Sequence, residues 1–395
     1  MSVTGIICEY DPLHTGHARL MAQARDGGAS AVVCAMSGNF TQRGGFALAD
    51  KCARAEMAVS CGADLVLELP TVWAMATAER FAQGGVDLLC RTGVVTELLF
   101  GSESGDLAAL TRVADCLEGS AFPAALAALP EDGRPFAARR QHALASLLGP
   151  ADASLLESPN NTLAVEYLRA LRRLRAPLSA RTVRRTGAQH GQAPSGGFAS
   201  ASYLRRLLAA GAWQEAAAYL PPPAAEVLRR QQAAGRLTDG ALCERAILAR
   251  LRTMTQADWR RLDRGGEGLG NRLYQAARTG ATLAEVLAAA KTKRYPMARL
   301  RRLVLAAWLD LPEPPDRVPY LRVLAANEAG RRLLRQMRDH GAPVLTKPAD
   351  AAALGPDAAA LFAVESRCTD LYVLARPSAD QMAPGQDWRT TPVMF

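Results

Sequence analysis

Four short apolar runs in the first 105 residues constrain this chain more than anything else in it. They are VTGIIC from Val3, AVVCAM at 31–36, DLVLELP at 64–70 and ELLFGSE at 97–103. Helix-compatible sequence separates them: from His14 to about Ala24, over DKCARAEMAVSCG with Asp50 near its start and Gly62 at its end, and over TAERFAQGGVDLLCRTG. Strands alternating with helices predict an α/β fold with a parallel sheet and right-handed crossovers. Such sheets bind ligands beyond the carboxyl ends of their strands, so chemistry is expected in the loops that follow each run.

An Ala- and Leu-rich helical insertion is expected over about 105–178, with SPNN at 158–161 as a turn or helix cap, and one more strand in ARTVRRTG at 180–187. The Gly- and Ser-rich loop HGQAPSGGFAS at 190–200 leads into a helix, ASYLRRLLAAG, and PPP at 221–223 punctuates the chain. This places a boundary in 211–223 and divides the 395 residues into units of 1–212 and 213–395, the second mainly helical to about 340 with a strand-like DLYVLA at 370–375. Two domains suit that length at ~100–200 residues each.

With 49% hydrophobic and 22% charged residues, collagen, a disordered tail and a disulfide scaffold are excluded. No apolar run approaches the ~20 residues of a membrane span, and SVTGIICEY lacks a signal peptide's basic leader. The eight cysteines include no C-x-x-C pair, so free thiols in a reducing cytoplasm are expected. The net charge of +9 points to an anionic partner. Only four of the 47 basic residues are lysines, Lys51, Lys291, Lys293 and Lys347.

His14-Thr15-Gly16-His17 follows the first strand directly and opens a helix. A helix N-terminus offers unpaired N–H groups and a positive dipole end. Two histidines three apart can face one ligand there, and Gly16 permits close approach of a nucleotide. Together they would stabilise charge developing on triphosphate oxygens. A pair of capping or packed histidines is the alternative. No metal site is expected, since His142, His190 and His340 are scattered. Ser200, Ser202 and Arg205, at a second helix start, would make another phosphate grip.

The pairing of H-x-G-H with this later serine–arginine element resembles the H-x-G-H nucleotidyltransferase superfamily. GIICEYDPLHTGH, MSGNFTQRG, DKCARAEM, DLVLELP, FGSE, SPNN, TVRRTG and TKRYPMARLRRLVL at 292–305 occur in this order. That series resembles the tRNA(Met) cytidine acetate ligase family over nearly the whole chain. The resemblance implies a Rossmann-like nucleotidyltransferase domain that adenylates acetate with ATP, accompanied by Mg²⁺, and a mainly helical tRNA-binding domain. The acetyl group would pass to the wobble cytidine of elongator tRNA(Met).

Carried over by position, the ATP-binding residues would be Ile7, Glu9, His14, Gly16, His17, Gly101, one of Asn160 and Asn161, and Arg185 with Arg184 as runner-up. Asp11 departs from the family's asparagine and adds negative charge near the phosphates. Lys51 or Arg43 would contact the phosphates or the acetate carboxylate, unless Lys51 is a solvated helix-end lysine. Asn39 would orient acetate or cytidine and Phe40 stack on a base, unless both anchor their loop. Arg54 and Glu56 are expected on the surface. Lys291, Lys293, Arg294, Arg299, Arg301 and Arg302 would hold tRNA phosphates, with Tyr295 stacking on a base; Arg331, Arg332, Arg335 and Arg338 form a second basic cluster. Two rivals stand: a nucleotidyltransferase joining ATP to a small phosphorylated metabolite, and an RNA-binding protein with a degenerate nucleotide site.

Overall fold

The computed structural model describes residues 2–130, 134–185, 194, 197–263 and 268–395. Its strands are β1 (Ser2–Cys8), β2 (Ala29–Ser37), β3 (Phe40–Thr41), β4 (Gly45–Phe46), β5 (Leu65–Leu69), β6 (Glu97–Ser102), β7 (Ser179–Arg184), β8 (Leu321–Ala326), β9 (Val344–Leu345) and β10 (Val393–Met394). The helices that position the site are α1 (Thr15–Asp26), α2 (Lys51–Ser60), α3 (Ala78–Arg91), α4 (Pro159–Arg173), α5 (Ala201–Ala209), α6 (Leu283–Ala290), α7 (Met297–Leu309) and α8 (Pro356–Tyr372).

The main sheet runs β10-β8-β5-β2-β1-β6-β7, with β9 also on β8, while β3 and β4 form a separate hairpin. Neighbours from β5 through β7 pair parallel, and β5–β8 is antiparallel. The chain steps outward from β1 to β2 to β5, then returns to the other side of β1 as β6. That reversal opens a crevice at the carboxyl ends of β1 and β6, and α1 begins beside it.

The unbroken apolar runs follow from burial on both faces. In β2, Ala31, Val33 and Ala35 belong to the core on one face, and Val32, Cys34 and Met36 to the core on the other. A third core, around Trp259, Tyr295, Trp308 and Tyr372, fills the C-terminal helical region and takes in Phe40 of the β3–β4 hairpin.

Two sequence expectations are corrected. DLYVLA at 370–375 is not a strand: it closes α8 and continues as a 3₁₀ turn, Val373–Ala375. The strand lies instead at Leu321–Ala326, inside a stretch expected to be helical, with all six residues buried. A short, fully buried apolar run has no period that separates strand from helix. Because β8 pairs with β5, a cut at residue 212 divides the chain but not the sheet. No described helix is long and apolar enough to cross a membrane.

Candidate active site

The geometry at the end of β1 starts from the cap of α1. His14 is the N-cap, in extended conformation, and its Nδ1 accepts the Gly16 N–H at 3.1 Å. His17 closes the box, its Nδ1 accepting the His14 N–H at 3.3 Å. The two rings stack with centroids 3.7 Å apart and 22° between planes, and Tyr10 sets its ring edge-on to His17 at 5.0 Å. Each Nδ1 is thus an acceptor, so each neutral imidazole carries its proton on Nε2. Neutrality is enforced: burial, then Arg185, lowers the His14 pKa from 6.5 to about 3. Burial, then His14 and Arg185, holds His17 well below its ordinary range. Capping and catalytic readings are therefore compatible, because the cap fixes the tautomer and leaves two Nε2–H donors.

Gly16 has a reason that the sequence did not reveal. A Cβ there would lie 3.0 Å from His14 Cε1 and 3.1 Å from Nδ1, so a side chain would push the capping ring out of place.

Beyond this cap lies a cavity of about 470 Å³ that brings together Ile7, Glu9, His17, Arg43, Gly101, Asn160, Arg185, Ser202 and Arg205. A small recess of about 60 Å³ adjoins it through His17, Gly101 and Arg185 and is lined by His14, Gly16 and Arg184. Glu9 accepts the Gln42 N–H at 2.6 Å. Burial raises its pKa, and Asp11 adds to the rise against Arg205 and Arg54. The charge of Asp11 is matched: Oδ2 pairs with Arg205 at 3.0 Å, and Oδ1 accepts the Leu48 N–H at 2.7 Å. Ser200 caps α5 by accepting the Tyr203 N–H at 3.3 Å and lies 3.2 Å from the Ser202 hydroxyl.

The two paired ambiguities separate by position. Asn160 faces the cavity, its Oδ1 3.4 Å from Arg185 Nη1. Asn161 is buried, its Oδ1 accepting the Ser104 N–H at 3.1 Å. Arg185 lines both spaces, whereas Arg184 reaches only the recess. Sequence reasoning missed Glu103, whose carboxylate accepts from the Asn160 N–H and Nδ2 and from the Asn161 N–H at 2.7 Å. An acidic residue suits the α4 N-terminus, but nothing in the chain order links residue 103 to residue 160.

Several expected site residues lie elsewhere. Lys51 is 2% exposed, its ammonium 2.7 Å from both Glu68 and Asp387, with Arg322 completing the cluster. It ties the C-terminal segment to β5 and lines no part of the 470 Å³ cavity. Asn39 anchors its loop, donating to Thr369 Oγ1 at 3.1 Å and accepting the Lys51 N–H at 2.9 Å. Phe40 is fully buried, within ring contact of Phe46 and Tyr372. Arg54 is fully buried too, its guanidinium donating to the carbonyls of Ala49, Glu9, Ser37 and Gly38. It therefore joins the carboxyl ends of β1 and β2 directly behind the site. Glu56 pairs with Arg230.

The basic run divides as well. Lys291, Lys293, Arg294 and Arg301 are exposed, and the first three lie between α6 and α7 rather than within a helix. Arg299 is half-buried, 3.6 Å from Asp263 and over the Tyr295 ring. Tyr295 is only 7% exposed, which removes it as a stacking platform. Arg302 turns inward and donates to the Gln42 carbonyl at 3.2 Å. Gly44 makes that contact possible, since a Cβ there would lie 2.5 Å from the Arg302 backbone nitrogen. In the second basic cluster, Arg331 donates to the Phe395 carbonyl and Arg332 pairs with Glu328. The loop 190–200, including His190, lies largely outside the described residues.

The chain is similar to known proteins over its whole length. The family model for HIGH Nucleotidyl Transferase matches residues 1–387. The chain is 34% identical to the tRNA(Met) cytidine acetate ligase of Syntrophomonas wolfei, covering 100% of this chain and 99% of that protein. It is 32% identical to that of Acetivibrio thermocellus, covering 98% of each. A crystal structure of Thermotoga maritima TmcAL bound with α-thio ATP superposes with a TM-score of 0.93 at 30% identity, covering 100% of both chains. A chain carrying this site and these likenesses belongs to the tRNA(Met) cytidine acetate ligase family of HIGH nucleotidyl transferases.

Proposed function

We propose that this protein activates acetate with ATP and transfers the acetyl group to the wobble cytidine of elongator tRNA(Met). An acetate oxygen attacks the α-phosphorus, and pyrophosphate leaves with the cleaved phosphoanhydride. The cytidine N4 amine then attacks the acetyl carbonyl, forming the amide and releasing AMP and a proton. The observation that carries the reading is the two-histidine cap. It presents two Nε2–H donors of fixed tautomer at a helix N-terminus, where they can bind charge that grows on phosphate oxygens. Arg185 and Arg205 flank the same cavity and supply the cationic grip for the rest of the triphosphate.

Mg²⁺ would enter with ATP. Such an ion is held mainly by substrate phosphates and water. A tRNA substrate places the enzyme in the cytoplasm, and the exposed Lys291, Lys293, Arg294 and Arg301 offer phosphate contacts. The test is pyrophosphate exchange into ATP. Exchange that requires acetate supports the reading, and exchange that requires a phosphorylated metabolite instead supports the small-molecule rival.

A further inference from the structure

A cavity of about 470 Å³ is of the size that takes one small ligand, which on the acetyl-transfer reading is acetyl-adenylate. The acceptor nucleoside needs space of its own, open to the first cavity and to the RNA-facing surface. A second cavity, of about 770 Å³, shares the lining residue Arg205 with the first and is also lined by Arg301 of the basic run.

The β3–β4 hairpin is the partition between the two. Thr41, Gln42 and Arg43 line the first cavity, and Gly44, Gly45 and Phe46 line the second. Arg205 lines both. Arg301, an exposed cation of the basic run, lines the second cavity as well, packed against Gly44 of the hairpin. The lining is otherwise largely apolar: Phe46, Leu48, Trp213, Leu237, Leu283 and Leu287 all border it and all remain only partly buried. A concave apolar surface left in water marks a binding site. Two features suit a base rather than an alkyl chain. Aromatic rings of Phe46 and Trp213 offer stacking faces, and the buried Trp213 indole N–H has no acceptor. Asp239 also borders the cavity and uses Oδ1 to cap the Ala241 N–H. Its carboxylate can accept from an exocyclic amine, the group that separates cytosine from uracil.

We propose that this second cavity receives the unstacked base of the acceptor cytidine, with Arg301 on the adjoining phosphate and Arg205 at the junction with the adenylate. The proposal rests on the acetyl-transfer reading above and adds the place of the second substrate.

Two variants and one binding measurement test it. Trp213→Ala removes a stacking face, and Ala209→Phe fills the cavity from an exposed position on α5. Acetate-dependent exchange should stay at the wild-type rate in both, while kcat/KM for tRNA acetylation falls about 5- to 150-fold, the range for loss of a stacked base. Wild-type acetylation in Ala209→Phe would overturn the proposal. So would an equal loss of exchange, because the cavity would then serve adenylation. For binding, an anticodon stem-loop RNA carrying cytidine or an abasic site at the wobble position is titrated while tryptophan fluorescence is followed. The cytidine RNA should quench a component absent from Trp213→Phe, and the abasic RNA should not. Equal quenching by both would overturn the proposal. Should wild-type exchange prove independent of acetate, the acetyl-transfer reading falls, and the quenching comparison still decides whether a base occupies this cavity.

Discussion

Replacement of His17 by alanine separates catalysis from folding within one side chain. His17 does two things: Nδ1 accepts the His14 N–H at 3.3 Å, and the tautomer this imposes leaves Nε2–H for the phosphates. Loss of the first is loss of half a capping box, on the order of 1 kcal/mol, which in a chain of this size shifts Tm by no more than about 2–4 °C. Loss of the second removes one preorganised donor and should slow adenylation about 100- to 1000-fold. The catalytic effect should therefore dominate a modest stability change. His17→Gln sharpens the distinction, because glutamine at this position can accept the cap N–H without reproducing the placement of Nε2. It should recover the melting temperature of the wild type and little of the rate. The assay is acetate-dependent pyrophosphate exchange beside a thermal melt. The reasoning is refuted if folded His17→Ala exchanges within about tenfold of wild type, a loss too small for a transition-state donor.

Four further outcomes are expected. Lys51→Met leaves Glu68 and Asp387 with a buried charge uncompensated, so unfolding free energy should drop by about 3–5 kcal/mol, while the folded enzyme exchanges normally; denaturant titration and exchange check both. Arg301→Gln should lower the log–log salt slope of tRNA binding by roughly 0.7–0.9. Arg302→Gln should leave that slope unchanged and slow exchange, because Arg302 holds Gln42 in the wall of the ATP cavity. Finally, His14 has a folded pKa of about 3 against 6.5, so the unfolded chain takes up this proton first. Its contribution is complete above about 6.5 and is lost as pH falls toward 3; the stability difference between wild type and His14→Gln should shrink over that window.

The parallel core of the sheet was legible because β1, β2, β5 and β6 are buried on both faces and read as apolar runs between helices. β8 was not, because it enters from 250 residues away in an Ala- and Leu-rich context where a buried strand and a buried helix share a composition. The candidate site was legible to this extent: His14, Gly16 and His17, carried by one local element, and Arg185 and Arg205, named by motifs, converge on adjoining cavities. Elsewhere burial decides what the chain order leaves open. Lys51, Arg54, Asn39, Phe40 and Tyr295 are polar or aromatic residues whose types suit a site, and each is buried, in the apolar core, a hydrogen-bond network or an ion cluster. Glu103 meets Asn160 only through the packing of α4 against β6, which no linear pattern encodes.

Acetate activated by ATP should end on one tRNA base. The most direct test supplies the purified protein with labelled acetate, ATP, Mg²⁺ and elongator tRNA(Met), with no acetyl-CoA present. The tRNA is then digested to nucleosides and separated. The account predicts label in N4-acetylcytidine at the wobble position, with AMP and pyrophosphate formed alongside. Unlabelled tRNA with ATP consumed, or label that enters RNA without ATP, would contradict it.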